Sequence, residues 1–208
     1  MLVRKIIHWM LAIQKQVNNN QSDNSHQDYL MKLLQRLENN AIETSLSAIN
    51  ELEHLAQDNP QFHWIIMDML TNFVREKTAN LPPEEVISDS LVDKRILIQS
   101  AMIVIGKRDV KQDPENEQID LSYTDLRGLN LQGINLAHTN LYQVNLSQAN
   151  LVGANLEGAI LSAANLAGAN LTGANLHRAN LYLASLKDAI LDDAILEGAN
   201  LREAKFTI

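Results

Sequence analysis

From Ile119 onward a leucine recurs at every fifth position without a gap: Leu121, Leu126, Leu131 and so on to Leu201, with Phe206 taking the eighteenth place. No regular secondary structure can bury such a residue continuously. Five residues of α-helix advance about 500°, which carries each leucine ~140° away from the one before. In an unbroken strand the side-chain period is two, so an odd repeat throws successive leucines to opposite faces. The backbone must bend within every repeat.

The neighbours of the leucine show how. Two positions earlier stand Ile119, Thr124, Leu129, Ile134, Thr139 and Val144, followed by alanine at every repeat from Ala149 to Ala204. The position between holds Asn or Asp in 13 of 18 repeats, the exceptions being Ile160, Ser185, Ile190, Ile195 and Lys205. In an extended triplet the first and third side chains point one way and the second the other. Ala and Leu then go inward, and Asn goes outward, where it can bond to the backbone of the bend. The next two residues turn the chain, and the second of them is Gly in 7 of 18 repeats, which suits a corner at positive φ. The product is a tube whose coils stack at about 4.8 Å. Ordering five residues costs roughly 5–10 kcal/mol, against about 1.5–3 kcal/mol from burying one leucine. Stability must therefore come from stacking, and the array should unfold as a unit.

Runs such as Ala149-Asn150-Leu151-Val152-Gly153 and Ala169-Asn170-Leu171-Thr172-Gly173 resemble the pentapeptide-repeat family, pattern A(N/D)LXX, which is abundant in cyanobacteria. The resemblance covers residues 119–208. It implies a right-handed quadrilateral parallel β-helix with four repeats per coil, hence about 4.5 coils for 18 repeats. Sorted by fours, one side has the corner residues Tyr123, Gln143, Ala163, Leu183 and Glu203 and no glycine.

Ahead of the repeats the grammar is helical, so the chain reads as α+β in two parts. Residues 1–27 are an amphipathic helix, with Arg4, Lys5 and Lys15 as its bases, followed by the polar linker NNNQSDNSHQ. The apolar run Ile6 to Ile13 is broken by His8 and too short to span a bilayer. It either packs on the rest of the protein or makes weak contact with a membrane surface. Residues 28–112 form the α-helical domain. Its stripes are Leu30, Leu33, Leu34, Leu37; then Ile42, Leu46, Ile49, Leu52, Leu55; then Phe62, Ile65, Ile66, Met69, Leu70, Phe73, Val74. Asp58 or Asn59 can cap the third helix, with Pro60 in its first turn. A fourth segment opens at Pro82-Pro83-Glu84-Glu85; its later part, Ile96 to Ile105, is apolar nearly all round and so reads as central, ending at Gly106. The stretches DNPQFHWIIMDMLTNFVRE and IQSAMIVIGKRD are similar to the helical region that precedes the repeats in some bacterial members of the family. Some of those carry membrane helices ahead of that region; residues 1–27 here hold no apolar run long enough to be read as one.

A solenoid needs its ends closed, because an open coil leaves backbone unpaired. The large inward residues Ile119 to Val144 suit the end that meets the helical domain, which is expected to cap it. At the other end Phe206 and Ile208 either plug the tube or pair it end to end with a second copy. On the glycine-free side Tyr123, Tyr142, Ile160, Tyr182 and Leu183 form a candidate interaction surface, since tyrosines on a rigid wall anchor interfaces well. The competing readings are scattered surface apolarity and contact with the protein's own N-terminal segment. Ile190 and Ile195 make a smaller outward pair.

Chemistry is sparse. There is no cysteine, which excludes disulfides and thiolate metal sites. His8, His26, His54, His63, His138 and His177 follow no ligand spacing, and Asp188, Asp192, Asp193 and Glu197 read as a solvated face. No nucleotide-loop or nucleophile-elbow motif occurs. The expectation is a cytoplasmic, non-enzymatic protein–protein interaction scaffold or regulatory module, with no catalytic, cofactor or metal site, as a monomer or an end-to-end dimer. The formal charge of -8 disfavours nucleic acid as partner. The alternative is a DNA mimic that inhibits or protects a DNA-binding enzyme such as gyrase, as some pentapeptide-repeat proteins do. That needs a long, strongly acidic rod, whereas residues 117–208 hold nine acids against five bases.

Overall fold

The computed structural model describes residues 21–39, 41–79, 81–82 and 88–207. Helix α1 spans Gln21–Leu37, α2 Ile42–Asp58, α3 Pro60–Thr78 and α4 Asp89–Gly106. Helix α1 starts inside the stretch read as linker. Its apolar residues Leu30, Leu33, Leu34 and Leu37 are fully buried, and once that part is helical, adding turns costs little even for polar residues.

Helices α1 and α2 run antiparallel: the Tyr29 hydroxyl meets Glu51, and the Ser45 hydroxyl donates to the carbonyl of Leu37. Helix α3 buries the whole predicted stripe from Phe62 to Val74. Asn59 makes no side-chain cap for α3; its amide donates to the Leu55 carbonyl and so finishes α2 instead.

Helix α4 departs from expectation twice. It begins at Asp89, capped by the Ser88 hydroxyl, which accepts from the Leu91 amide. Its apolar circumference is also only half covered. Leu97, Ile98, Ala101, Met102, Val104 and Ile105 are buried against α2 and α3, but Val92, Ile96 and Ile103 are 47%, 43% and 45% exposed. The helix lies at the margin of the bundle, not at its centre.

A 3-10 turn, Val110–Gln112, leads into the repeats. There parallel bridges join residues 20 apart: Asp120 to Asn140, Asp125 to Asn145, Asn130 to Asn150, Asn135 to Asn155, and onward. One coil is therefore four pentapeptides. The short strands β1 (Ser185–Leu186) and β2 (Lys205–Phe206) continue the same register. Every inward Ala and Leu from Ala149 to Leu186 is at most 2% exposed.

Each corner is a four-residue turn. From Leu126 onward the amide three residues after the leucine donates to its carbonyl, as Ala149 does to Leu146, and at the first corner the Thr124 hydroxyl donates to Leu121 instead. All seventeen corner residues from Tyr123 to Glu203 have positive φ, ten of them without being glycine. A positive φ at the third turn position alone marks type II geometry. Where the outward residue is Asn or Asp it closes the bend: its side-chain oxygen accepts from the amide two residues on, as Asn140 does from Tyr142. An Asn NH2 group donates to the equivalent oxygen one coil earlier, as Asn155 does to Asn135 and Asn175 to Asn155.

Candidate interaction surfaces

Among the described residues, the seam between the helices and the first coil and the glycine-free side of the tube present more than solvated surface.

The seam follows from the polarity of the coil ladder. Each coil accepts hydrogen bonds from the coil before it at the carbonyls flanking its leucines: Asn140 accepts from Leu121, and Tyr142 from Tyr123. The first coil has no predecessor, so its equivalent carbonyls need donors from elsewhere. The helices supply one side chain per side. Arg75 of α3 donates to the carbonyls of Asp120 and Ser122 at 3.0 and 3.2 Å. Arg95 of α4 reaches those of Asp125 and Arg127. Gln99 of α4 donates to Asn130 at 2.7 Å and accepts from its amide at 2.9 Å. Arg108, just past α4, donates to Asn135 and Ala137.

Arg108 is 4% exposed and paired with Asp113 at 3.0 Å, so its charge is compensated within the seam. Arg75 and Arg95 pair with Asp120 and Asp125. The sequence reading assigned none of these four residues a role at the seam, taking Arg108 only as part of the helix end; the available signal was the arithmetic of the ladder, which demands donors on the helical side. Beside Arg108 a cavity of about 160 Å³ is lined by Glu53, His63, Lys107 and Gln112. Burial pushes the His63 imidazole below its ordinary pKa, partly opposed by Asp113 and Asp109.

On the glycine-free side the predicted residues fall into two groups. Tyr123 is 65% exposed and meets Tyr142 edge to face, with ring centroids 5.4 Å apart. The half-buried Tyr142 hydroxyl accepts from the Gln143 amide. Ile160 is half-buried between the groups. Further along, the Tyr182 hydroxyl donates to Glu203 at 3.3 Å, and the Arg202 guanidinium sits 5.7 Å from its ring. The Glu203 charge, then the hydrogen bond to it, raises the Tyr182 phenol above its usual pKa. Leu183 is 41% exposed beside it. Arg202 and Glu203 were legible too: they lie 20 residues after Tyr182 and Leu183, one coil away.

At the far end, Phe206, Ile190 and Ile195 are 46%, 45% and 51% exposed; Ile208 lies outside the described residues. Asp188 accepts from the Thr207 hydroxyl, while Asp192, Asp193 and Glu197 are exposed. Among the described residues no group of carboxylates and histidines is placed to hold a metal ion, and no helix is long and apolar enough to cross a membrane.

The sequence profile described as pentapeptide repeats, in eight copies, matches residues 119–158, 149–188, 159–198 and 179–207. Residues 119–207 belong to the pentapeptide-repeat family. Among solved pentapeptide-repeat structures, the chain is similar to HetL, involved in heterocyst differentiation regulation in the cyanobacterium Nostoc sp. strain PCC 7120. The identity is 40% over 43% of this chain and 41% of that one, with a TM-score of 0.41. Rfr23 from the cyanobacterium Cyanothece 51142 is 37% identical over 47% of this chain and 65% of its own, with a TM-score of 0.29. A pentapeptide-repeat protein from the Arabidopsis thaliana thylakoid lumen is 35% identical over 41% of this chain and 63% of its own, with a TM-score of 0.25. The chain thus spans less than two thirds of the length of each of these relatives. No curated protein matches the chain.

Proposed function

We propose that this chain is a non-enzymatic protein-interaction scaffold. In this reading a right-handed quadrilateral β-helix of pentapeptide repeats is closed at its first coil by the helical domain and presents its glycine-free side to a protein partner. The observation that carries it is the set of outward apolar residues on one wall, Tyr142 and Tyr182 two coils apart and Ile160 between them, with Tyr123 and Leu183 exposed at its two ends three coils apart. Large apolar side chains held on a rigid backbone lose little entropy on binding. Pentapeptide-repeat proteins are in general non-enzymatic scaffolds, which favours this reading over an enzyme. Pairing end to end through Phe206 and Ile208 is the oligomeric state this reading allows besides the monomer.

The DNA-mimic alternative is the weaker reading. Of the acids on the array, Asp120 and Asp125 are paired with Arg75 and Arg95, which removes charge a mimic would need.

The test is Tyr123→Asp combined with Leu183→Asp. Both positions are exposed, so the fold and its circular dichroism should be unchanged. A partner captured from extract by the wild-type chain, identified by mass spectrometry and rebound in purified form, should be retained at least tenfold less by the double variant. Equal retention of that purified partner removes the tyrosine wall from the proposal.

A further inference from the structure

The exposed face of α4 is an apolar feature that the scaffold reading leaves unused. Val92, Ile96, Gln99 and Ile103 follow i, i+4, i+7, i+11 and so share one stripe. Val92, Ile96 and Gln99, with Leu91, Arg95, Ser100 and Leu129, border a groove of about 540 Å³ whose accessible surface is almost wholly apolar, and Ile103 continues the stripe past it. Asp89 and Asp93 flank the stripe on one edge. On the other, Arg95 is committed to Asp125 and the first coil. A helix apolar all round is normally covered on both faces, so α4 is built for one more layer.

We propose that residues 1–17 of this chain are that layer, docking on α4 as an intramolecular strap. Wound as a helix, the segment puts Leu2, Val3, Ile6, Trp9, Met10 and Ile13 on one face, with Arg4, Lys5, His8 and Lys15 opposite. It carries three bases and no acid, while the rest of the chain carries 25 acids against 14 bases, and its apolar face meets a stripe edged by Asp89 and Asp93. Reach also fits. Because α1 runs antiparallel to α2 and Lys107 pairs with Glu53 near the end of α2, Gln21 enters the bundle at the end where α4 finishes. From there residues 14–20 can cross at most ~25 Å. The helical stretch then covers the roughly 16 Å from Ile103 back to Val92.

The chain has two tryptophans, Trp9 and Trp64, so Trp64→Phe leaves Trp9 as the reporter. In this variant, at low concentration and without lipid, Trp9 emission should be blue-shifted and several-fold less quenched by iodide than in a peptide of residues 1–20. Adding Ile96→Glu and Ile103→Glu, both at exposed positions, should return it to the peptide's values. Trp9 that matches the free peptide overturns the proposal. So does protection that appears only as concentration rises, which would mean a second copy, or only with anionic vesicles, which would mean a membrane surface. Since Trp64 is itself in the core, a second measurement uses the unmodified protein. Hydroxyl-radical labelling of Val92, Ile96 and Ile103 should rise several-fold when residues 1–17 are deleted, and unchanged labelling also overturns the strap.

Discussion

At the scale of single residues, glycine does two different jobs in this chain, and only one could be read from sequence. At the corners, Gly153 sits at φ 64° with open space where a side chain would be, whereas Leu183 holds the same conformation at φ 61°. The corner thus demands a positive φ whatever residue occupies it, and the glycine-free side pays through strain in leucine, alanine and glutamine. Gly106 reads as a helix stop yet does not adopt positive φ. A Cβ there would lie 2.1 Å from Ile134 Cγ1, and its carbonyl accepts from the Asn135 amide, so the backbone of α4 presses directly onto the first coil. Gly106→Ala gains about 1 kcal/mol of helix propensity but overpacks a site where Ile134 is 7% exposed, at a cost of ~1–3 kcal/mol. The expected net result is destabilisation. In a denaturant-unfolding double-mutant cycle with Ile134→Ala, the coupling should favour the double variant by at least about 1 kcal/mol. Additive effects would show that the contact does not hold the seam.

At the scale of elements, apolar periodicity located three helices well, because each buries one stripe. It failed for α4, where an apolar run broken only by Gln99 and Ser100 carries too little phase information to say which face is covered. Polar contacts between elements were equally hidden. The staple between α1 and α2 is a carboxylate, Glu51, that takes both arms of the Arg36 guanidinium at 2.7 and 2.9 Å and the Tyr29 hydroxyl at 2.7 Å. These bonds, Arg36 first and then Tyr29, hold the Glu51 carboxyl at about 2, against 4.5 unperturbed. A carboxyl depressed in the folded state stabilises above its unfolded pKa, and that stability drains as pH falls from about 4.5 toward 2. The group is partly exposed, so screening keeps the contribution near ~1 kcal/mol. Glu51→Gln should therefore be less stable than wild type at pH 7, with the gap closing as pH falls through that window. A gap independent of pH would mean that the staple acts through packing alone.

At the scale of the whole molecule, the five-residue period already contained the tube, its inward residues and the outward Asn row. The 20-residue register came from the resemblance to the family and not from the period, since a repeat of five does not by itself fix the number of sides; the bridges between residues 20 apart show it. The same register makes stability a property of neighbours. Leu166 is fully buried between Leu146 and Leu186, one coil before and one after. Leu196 is in the last full coil and only half-buried, covered from one direction alone. If stacking holds the array, the same substitution must cost very different amounts at the two places. Leu166→Asp puts a carboxylate where no partner or water reaches it, a cost of several kcal/mol, and breaks the column in its middle. With no coil stable alone, the far coils lose their template, and circular dichroism should report loss of the repeat structure at room temperature. Leu196→Asp can turn its carboxylate to solvent and should lower the melting temperature by a few degrees while keeping the fold, as expected for ~1 kcal/mol in a chain of this size. Equal damage from the two variants would mean that each pentapeptide owes its stability to its own side chains and not to the coils beside it.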